Sequence, residues 1–230
     1  MKTVLFAVTT VIIGYPCFCQ KALPSANIQI ASAILAAPED MRDSCTVYGY
    51  PADQGLILLR QGTNDLICLA DDPGKPGFSV ACYVKDLEPF MKRGRELRAQ
   101  GMNDKQVFDE RDKEVKEGTL QMPAHPSALY VYSAKDTDFD STTGAVKNGY
   151  LRYVIYIPFA TSASTGLPER PSGSGKGMPW LMDAGTYRAH IMINPRIIIS
   201  SQALLLHPFM VKRAIAFKGK DHCKFSSRRL

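Results

Sequence analysis

The residues best suited to chemistry are tyrosines, arginines and one histidine on three strand-like runs in the second half of the chain. Tyr130 and Tyr132 lie in ALYVYS (128–133), Tyr150, Arg152 and Tyr156 in YLRYVIYIP (150–158), and Arg188 and His190 in YRAHIMIN (187–194). Aromatic rings beside an arginine can stack on a sugar or hold a carboxylate. Alternation along a strand groups Tyr130 with Tyr132, Tyr150 with Arg152 and Tyr156, and Arg188 with His190. If the three runs are neighbours, these seven residues are expected on one face. Leu129, Val131, Leu151, Tyr153, Ile155, Ile191 and Ile193 would then form the buried face. The plainer reading is the ordinary solvated side of an antiparallel sheet.

Other constellations are thinner. Ser162, Ser164 or Thr165 could join His190 and Asp183 in a nucleophilic triad, since triads are defined by geometry rather than by sequence order. No G-x-S-x-G elbow supports one. A metal site would have to draw on His125, His190, Asp183 and Asp71-Asp72, with no HExxH or paired histidines, and none is expected. Asp136, Asp138 and Asp140 have the spacing of a calcium loop. The chain has Ser141 where that loop needs glycine and Lys147 where it needs glutamate, so turn formation is the better reading. GSGKG (173–177) departs from the phosphate loop at both ends, with Arg170 and Gly177 in place of the required residues, and reads as a flexible connection. No cofactor is implied. Trp180, the only tryptophan, is expected to anchor the long connection 159–186, or else to serve as a ligand platform.

The elements that must position these residues are legible as patterns. Ser25 to Leu35 reads as a short helix, with Ser25 as N-cap and Ile28, Ala31, Ile34 and Leu35 at helical spacing. From Cys45 the period changes to two. CTVYGY, LILLRQ, DLICLA and FSVACYV are strand-like, separated by the turn-forming PADQG, GTN and DDPGKPG. Short links without helices predict an antiparallel meander and exclude parallel crossovers here. Two helices follow. Asp86 is expected to cap LEPFMKRGRELRAQ, with Leu87, Phe90, Met91 and Leu97 as its apolar stripe and Gly101 as its stop. Asn103 is expected to cap DKQVFDERDKEVKEG, ended by Gly118. Only Val107, Phe108 and Val115 are apolar there, which predicts a surface helix. The connection 159–186 is rich in Ser, Thr, Pro and Gly and far exceeds an ordinary loop. Such loops carry function or are disordered.

LRQGTNDLICLADDP and GFSVACYVKDLEPFMKRGRELRAQG resemble uncharacterised secreted bacterial proteins. The likeness runs from about Ile30 to His190-Ile191-Met192-Ile193. It implies no activity and therefore no catalytic residues. It also implies that the segment after Pro195 is an extension.

The N-terminus carries an export signal. Lys2 precedes an apolar run, Val4 to Ile13, too short to span a bilayer. Gly14, Pro16, Cys17 and Cys19 follow, with cleavage expected before Gln20. Export into a periplasmic or extracellular setting removes ATP-dependent chemistry and genomic DNA from consideration. No other apolar run is long enough to cross a membrane. The net charge of +6 belongs to the C-terminus: residues 207–230 hold seven Lys or Arg against Asp221 alone. The rest is near neutral. A basic tail can meet acidic polymers or lipid, or be a solvated end.

Cleavage leaves four cysteines: Cys45, Cys68, Cys82 and Cys223. The midpoint between Cys68 and Cys82 falls in DDPGKPG. A simple hairpin therefore opposes them, close enough for a disulfide. Two buried thiols are the alternative.

The expected architecture is α+β: a mainly antiparallel sheet of about seven strands with two or three helices on one side. Residues 1–19 form the signal peptide, 20–195 a single domain, and 196–230 an apolar then basic extension. The expected function is a secreted or envelope-associated binding module. Its unknown extracellular or envelope ligand would meet the Tyr/Arg face and the 159–186 loop, and nucleic acid is not expected as a partner. The rival reading is a secreted hydrolase using His190 with loop Ser and Asp residues.

Overall fold

The turn chemistry of residues 45–84 does produce four strands, but not in meander order. A computed structural model describes residues 23–52, 55–171 and 177–194. The expected signal segment with its cleavage point and the expected extension 196–230 with Cys223 lie outside the described residues. All described residues belong to one compact unit, Met1–Pro195.

The strands are β1 (Thr46–Gly49), β2 (Ile57–Arg60), β3 (Leu66–Leu69), β4 (Phe78–Val84), β5 (Ser127–Ala134), β6 (Tyr150–Tyr156), β7 (Trp180–Met182) and β8 (His190–Ile193). They form one sheet in the order β2-β1-β3-β4-β5-β6-β8-β7. Every pairing is antiparallel except β1 with β3. The fold is α+β and mostly antiparallel, with eight strands rather than about seven. The eighth, β7, is a three-residue strand inside the 159–186 connection, too short to leave an alternating pattern.

The parallel pair corrects the expected meander. Excluding parallel neighbours assumed that they need a helical crossover. Here β2 turns back on the outer side of β1, and a five-residue link, 61–65, returns past the start of β1 to place β3 on its inner side. The link lies flat on the chain beneath it. Thr63 N and Asn64 N both donate to Ser44 O, at 2.8 and 3.1 Å. Asn64 Nδ2 donates to Met41 O at 2.8 Å, and Gly62 N to Thr46 Oγ1 at 3.1 Å. A Cβ on Gly62 would lie 2.2 Å from Cys45 C and Thr46 N, so only glycine allows the crossing.

The β3–β4 hairpin has the predicted register. Cys68 opposes Cys82, and a disulfide joins them. Cys45 is a buried free thiol.

Helices cover both faces of the sheet, a correction to the one-sided arrangement. On one face lie α1 (Ala26–Ala33) and the 3-10 turn Ile34–Ala36, against Val80, Cys82, Tyr130 and Tyr132. The buried residues of α1 are Gln29, Ser32 and Ala33, not the expected stripe; Ala31 is exposed and Ile28 half-buried. Small side chains let the helix approach the sheet closely. Ser25 occupies the N-cap position without a side-chain cap. On the other face lie α2 (Glu88–Ala99) and α3 (Asp104–Lys116), against Tyr83, Val154, Tyr156 and Met192. Asp86 does not cap α2: the N-cap is Leu87, because a 3-10 turn, Lys85–Leu87, leads into the helix. Asn103 and Gln106 form a capping box at α3, and Gly101 and Gly118 take left-handed φ of 85° and 75° at the two helix ends. Arg95 and Glu88 clamp the Tyr83 hydroxyl, fixing α2 to β4.

The two edges of the sheet differ. Ile57 and Leu58 of β2 are exposed, and the strand's one charge, Arg60, turns inward to Cys45 O and Arg42 O at 3.1 and 2.6 Å. At the other edge, Leu181 N of β7 donates outward to Pro168 O at 2.8 Å.

Candidate functional site

The register of β5 against β6 decides which of the predicted residues can act together. Tyr130 opposes Tyr153, Tyr132 opposes Leu151, and Leu129 opposes Val154. Directly opposed residues share a face. Alternation within each strand is as expected, but the faces are matched the other way. Tyr130 and Tyr132 lie on the α1 face with Leu151 and Tyr153. Tyr150, Arg152 and Tyr156 lie on the α2–α3 face, opposite Ser133, Val131 and Ser127. A one-residue difference in register exchanges the whole set, and no sequence pattern marked it. The single Tyr/Arg face does not exist, and neither side is the solvated one.

Tyr156 opposes His190 of β8. Arg188 precedes that strand, in a turn, rather than lying within it. Tyr150 and Arg152 are six and four residues from Tyr156, so Arg152 is about 13 Å along the strand. Of the seven residues, Tyr156, Arg188 and His190 come together.

Around these three lies a layer of rings and cations. The Phe90 ring of α2 meets Tyr156 and Tyr187 at 5.4 and 6.1 Å, and Phe108 of α3 meets Tyr187 at 5.1 Å. Tyr187 Oη donates to Phe108 O at 2.9 Å. Tyr156 lies 5.2 Å from the His190 ring. Arg111 stands with its guanidinium 4.0 Å over Phe90, and Arg188 4.9 Å over Phe108.

Arg111 is 4% exposed. Its Nη1 donates to Phe90 O at 3.2 Å, and its Nε has no partner among the described residues. Gly94 makes room for it: a Cβ there would stand 2.9 Å from Nη1. Burial lowers the Arg111 pKa, and only the tyrosines Tyr187 and Tyr156 oppose that.

Arg188 is held by Asp183, its Nε 2.7 Å from Oδ2, with side chains 31% and 25% exposed. Burial works against the charge on Arg188, but the hydrogen bond and charge of Asp183 outweigh it and raise its pKa. Its two Nη groups make no hydrogen bond to a described residue. Asp183 has a left-handed φ of 53°, which aspartate tolerates. His190 Nδ1 lies 2.7 Å from Arg188 O and 4.0 Å from Asp183 Oδ2. A carbonyl only accepts, which assigns the Nδ1–H tautomer and leaves Nε2 as the acceptor. Burial lowers the His190 pKa, so the ring is neutral at pH 7.

The other constellations take simpler roles. Ser162 Oγ donates to Glu169 Oε1 at 2.7 Å, and the hydroxyls of Ser164 and Thr165 donate to Thr161 O. They build the short helix α4 (Ser162–Thr165) and present no proton to His190. Asp140 accepts from Thr142 N and Thr143 N within its own turn, Asp138 from Asn148 Nδ2 across the connection between β5 and β6, and Asp136 from Gly77 N of the β3–β4 turn. Among the described residues no three His, Cys, Asp or Glu groups are placed to hold a metal ion. Of GSGKG, only Gly177 is within the described residues. Trp180 is buried in β7 and pairs with Met192, which ties the long connection to the core.

Arg111, Phe108 and Tyr187 were not among the expected site residues. Arg111 had a signal. It falls four residues from Val107 and four from Val115, in line with the apolar stripe of a helix otherwise read as solvated.

No protein-family model matches this chain, and neither curated proteins nor solved structures gave a match.

Proposed function

We propose that this protein is an exported binding module whose recognition site is the solvent end of the layer between α3 and β8. Arg188, Asp183, His190 and Tyr156 form that site, and Asp183 brings the end of the 159–186 connection to it. The observation that carries the reading is Arg188. Its guanidinium stands 4.9 Å over the Phe108 ring, is fixed by one bond to Asp183, and keeps both Nη groups unused among the described residues, while a third of its side chain meets solvent. A preorganised guanidinium with an open fork is a recognition element for planar polar groups.

The hydrolase alternative finds less support. His190 Nε2 is a competent acceptor, but the loop hydroxyls donate elsewhere. A nucleophile needs its proton directed at the base.

A thermal-shift screen of the full-length chain against sugars, peptides, nucleotides and organic acids tests the reading. A ligand raises the melting temperature by mass action. That rise should vanish in Arg188→Met. If no compound shifts the wild type, or if the shift survives Arg188→Met, the proposed site falls.

A further inference from the structure

Among the described residues, the layer between α2, α3 and β8 holds more positive than negative charge. Arg111 and Arg188 are both guanidinium ions, and among the described residues Asp183 is the one carboxylate bonded to either. His190 adds no charge at pH 7. The neighbouring acids are committed to other cations: Asp112 to Lys116, Asp109 to Lys105, Glu114 to Arg93 and Glu88 to Arg95. Arg98, which also faces Arg111, has Asp104. Burying a cation without a counter-charge is costly, and structures seldom keep one without a use. Arg111 is buried, its Nε has no hydrogen-bond partner among the described residues, and no described carboxylate offsets its charge.

We propose that the site described above takes a small organic monocarboxylate. The inference rests on the binding-module reading and names its ligand class. The carboxylate meets the Nη fork of Arg188 at the solvent end, and its charge offsets the excess that Arg111 places behind it. The apolar body of the ligand lies along Phe108 and Tyr156. A carboxylate fits better than a phosphate for two reasons. The planar fork matches a planar acid, and the local excess is a single positive charge.

Calorimetric titration of the full-length chain with benzoate, benzamide and inorganic phosphate tests this. Benzoate is expected to bind saturably, with benzamide and phosphate weaker on the order of tenfold or more. Arg188→Met and Arg111→Met should each weaken benzoate on the order of tenfold. Arg111→Met should melt at or above the wild-type temperature without ligand, because it removes an uncompensated buried charge. Arg188→Lys keeps the charge without the fork and should fall between wild type and Arg188→Met; it also serves if Arg188→Met does not fold. Three outcomes overturn the proposal: benzoate no tighter than benzamide, phosphate bound in preference to benzoate, or benzoate bound equally by both arginine variants. If a neutral compound from the screen binds in an Arg188-dependent way while benzoate does not, the binding-module reading stands and the carboxylate is wrong.

Discussion

The side-chain amide of Gln29 pairs with the backbone of Tyr50 as a neighbouring strand would. Its Nε2 donates to Tyr50 O at 2.8 Å and its Oε1 accepts from Tyr50 N at 2.7 Å. Nε2 also donates to Pro24 O at 2.9 Å. A buried helix residue thus satisfies the backbone where β1 ends. Gln29→Ala should destabilise the fold by about 1–3 kcal/mol, since it strands both polar groups of Tyr50. Gln29→Glu should also destabilise, because a carboxylate cannot donate to Tyr50 O. Urea unfolding of both variants checks this; a wild-type midpoint for either would show that the pair is incidental.

Gly62→Ala should be among the most damaging single substitutions in the β1–β3 region. The added methyl meets backbone rather than a movable side chain. Overpacking costs about 1–3 kcal/mol where neighbours can shift, and here they cannot without opening the crossing. Expression and melting temperature compared with Gln61→Ala next door give the measure.

The Cys68–Cys82 bond closes a loop with a sequence separation of 14. Reducing it should cost about 3 kcal/mol on the chain-entropy estimate. Cys45 should resist alkylation in the native state, since burial pushes its thiol pKa up. Peptide mapping after native and denaturing alkylation reads both. A modified Cys45 in folded protein, or a Cys45–Cys68 bond, would contradict the arrangement.

His190 makes the fold acid-sensitive. In the unfolded chain it takes a proton near pH 6.5, and burial lowers that value in the folded state. Below pH 6.5 the unfolded state therefore holds more protons, and stability falls with pH until the folded value is passed. Wild type should lose more stability between pH 7.5 and pH 5 than His190→Gln, by denaturant unfolding at both pH values. Equal losses would remove His190 as the cause.

Secretion should yield a mature chain beginning at Gln20, and removal of residues 207–230 should leave the fold intact while lowering the isoelectric point. Mass spectrometry of exported protein and the melting curve of the truncated chain decide these separately. An intact Met1 or a truncated chain that fails to fold would count against each in turn.

Local rules made much of this fold readable. Turn residues marked seven of the eight strands, Asn103 and Gly118 bounded α3, and the spacing of Cys68 and Cys82 about one turn fixed their hairpin. The failures lie where two segments had to be placed against each other. The β1–β3 pairing depends on Ser44 meeting Thr63 and Asn64, which neither segment encodes alone. The face shared by Tyr156 and His190 depends on a register that Tyr130 and Tyr132 could not reveal. Arg111 looked like a solvated charge because its helix is mostly charged, and only the packing of Phe90 and Gly94 shows otherwise.

The unequal edges of the sheet bear on how this protein behaves when concentrated. Among the described residues, the β2 edge, with Ile57 and Leu58 exposed and Arg60 drawn inward, is the end at which another strand can be added. The β7 edge has its outward amide occupied by Pro168. Two molecules joined through β2 would expose their β7 ends, where the outward amide of Leu181 is already taken, so strand addition is expected to stop at the pair rather than continue into a fibre.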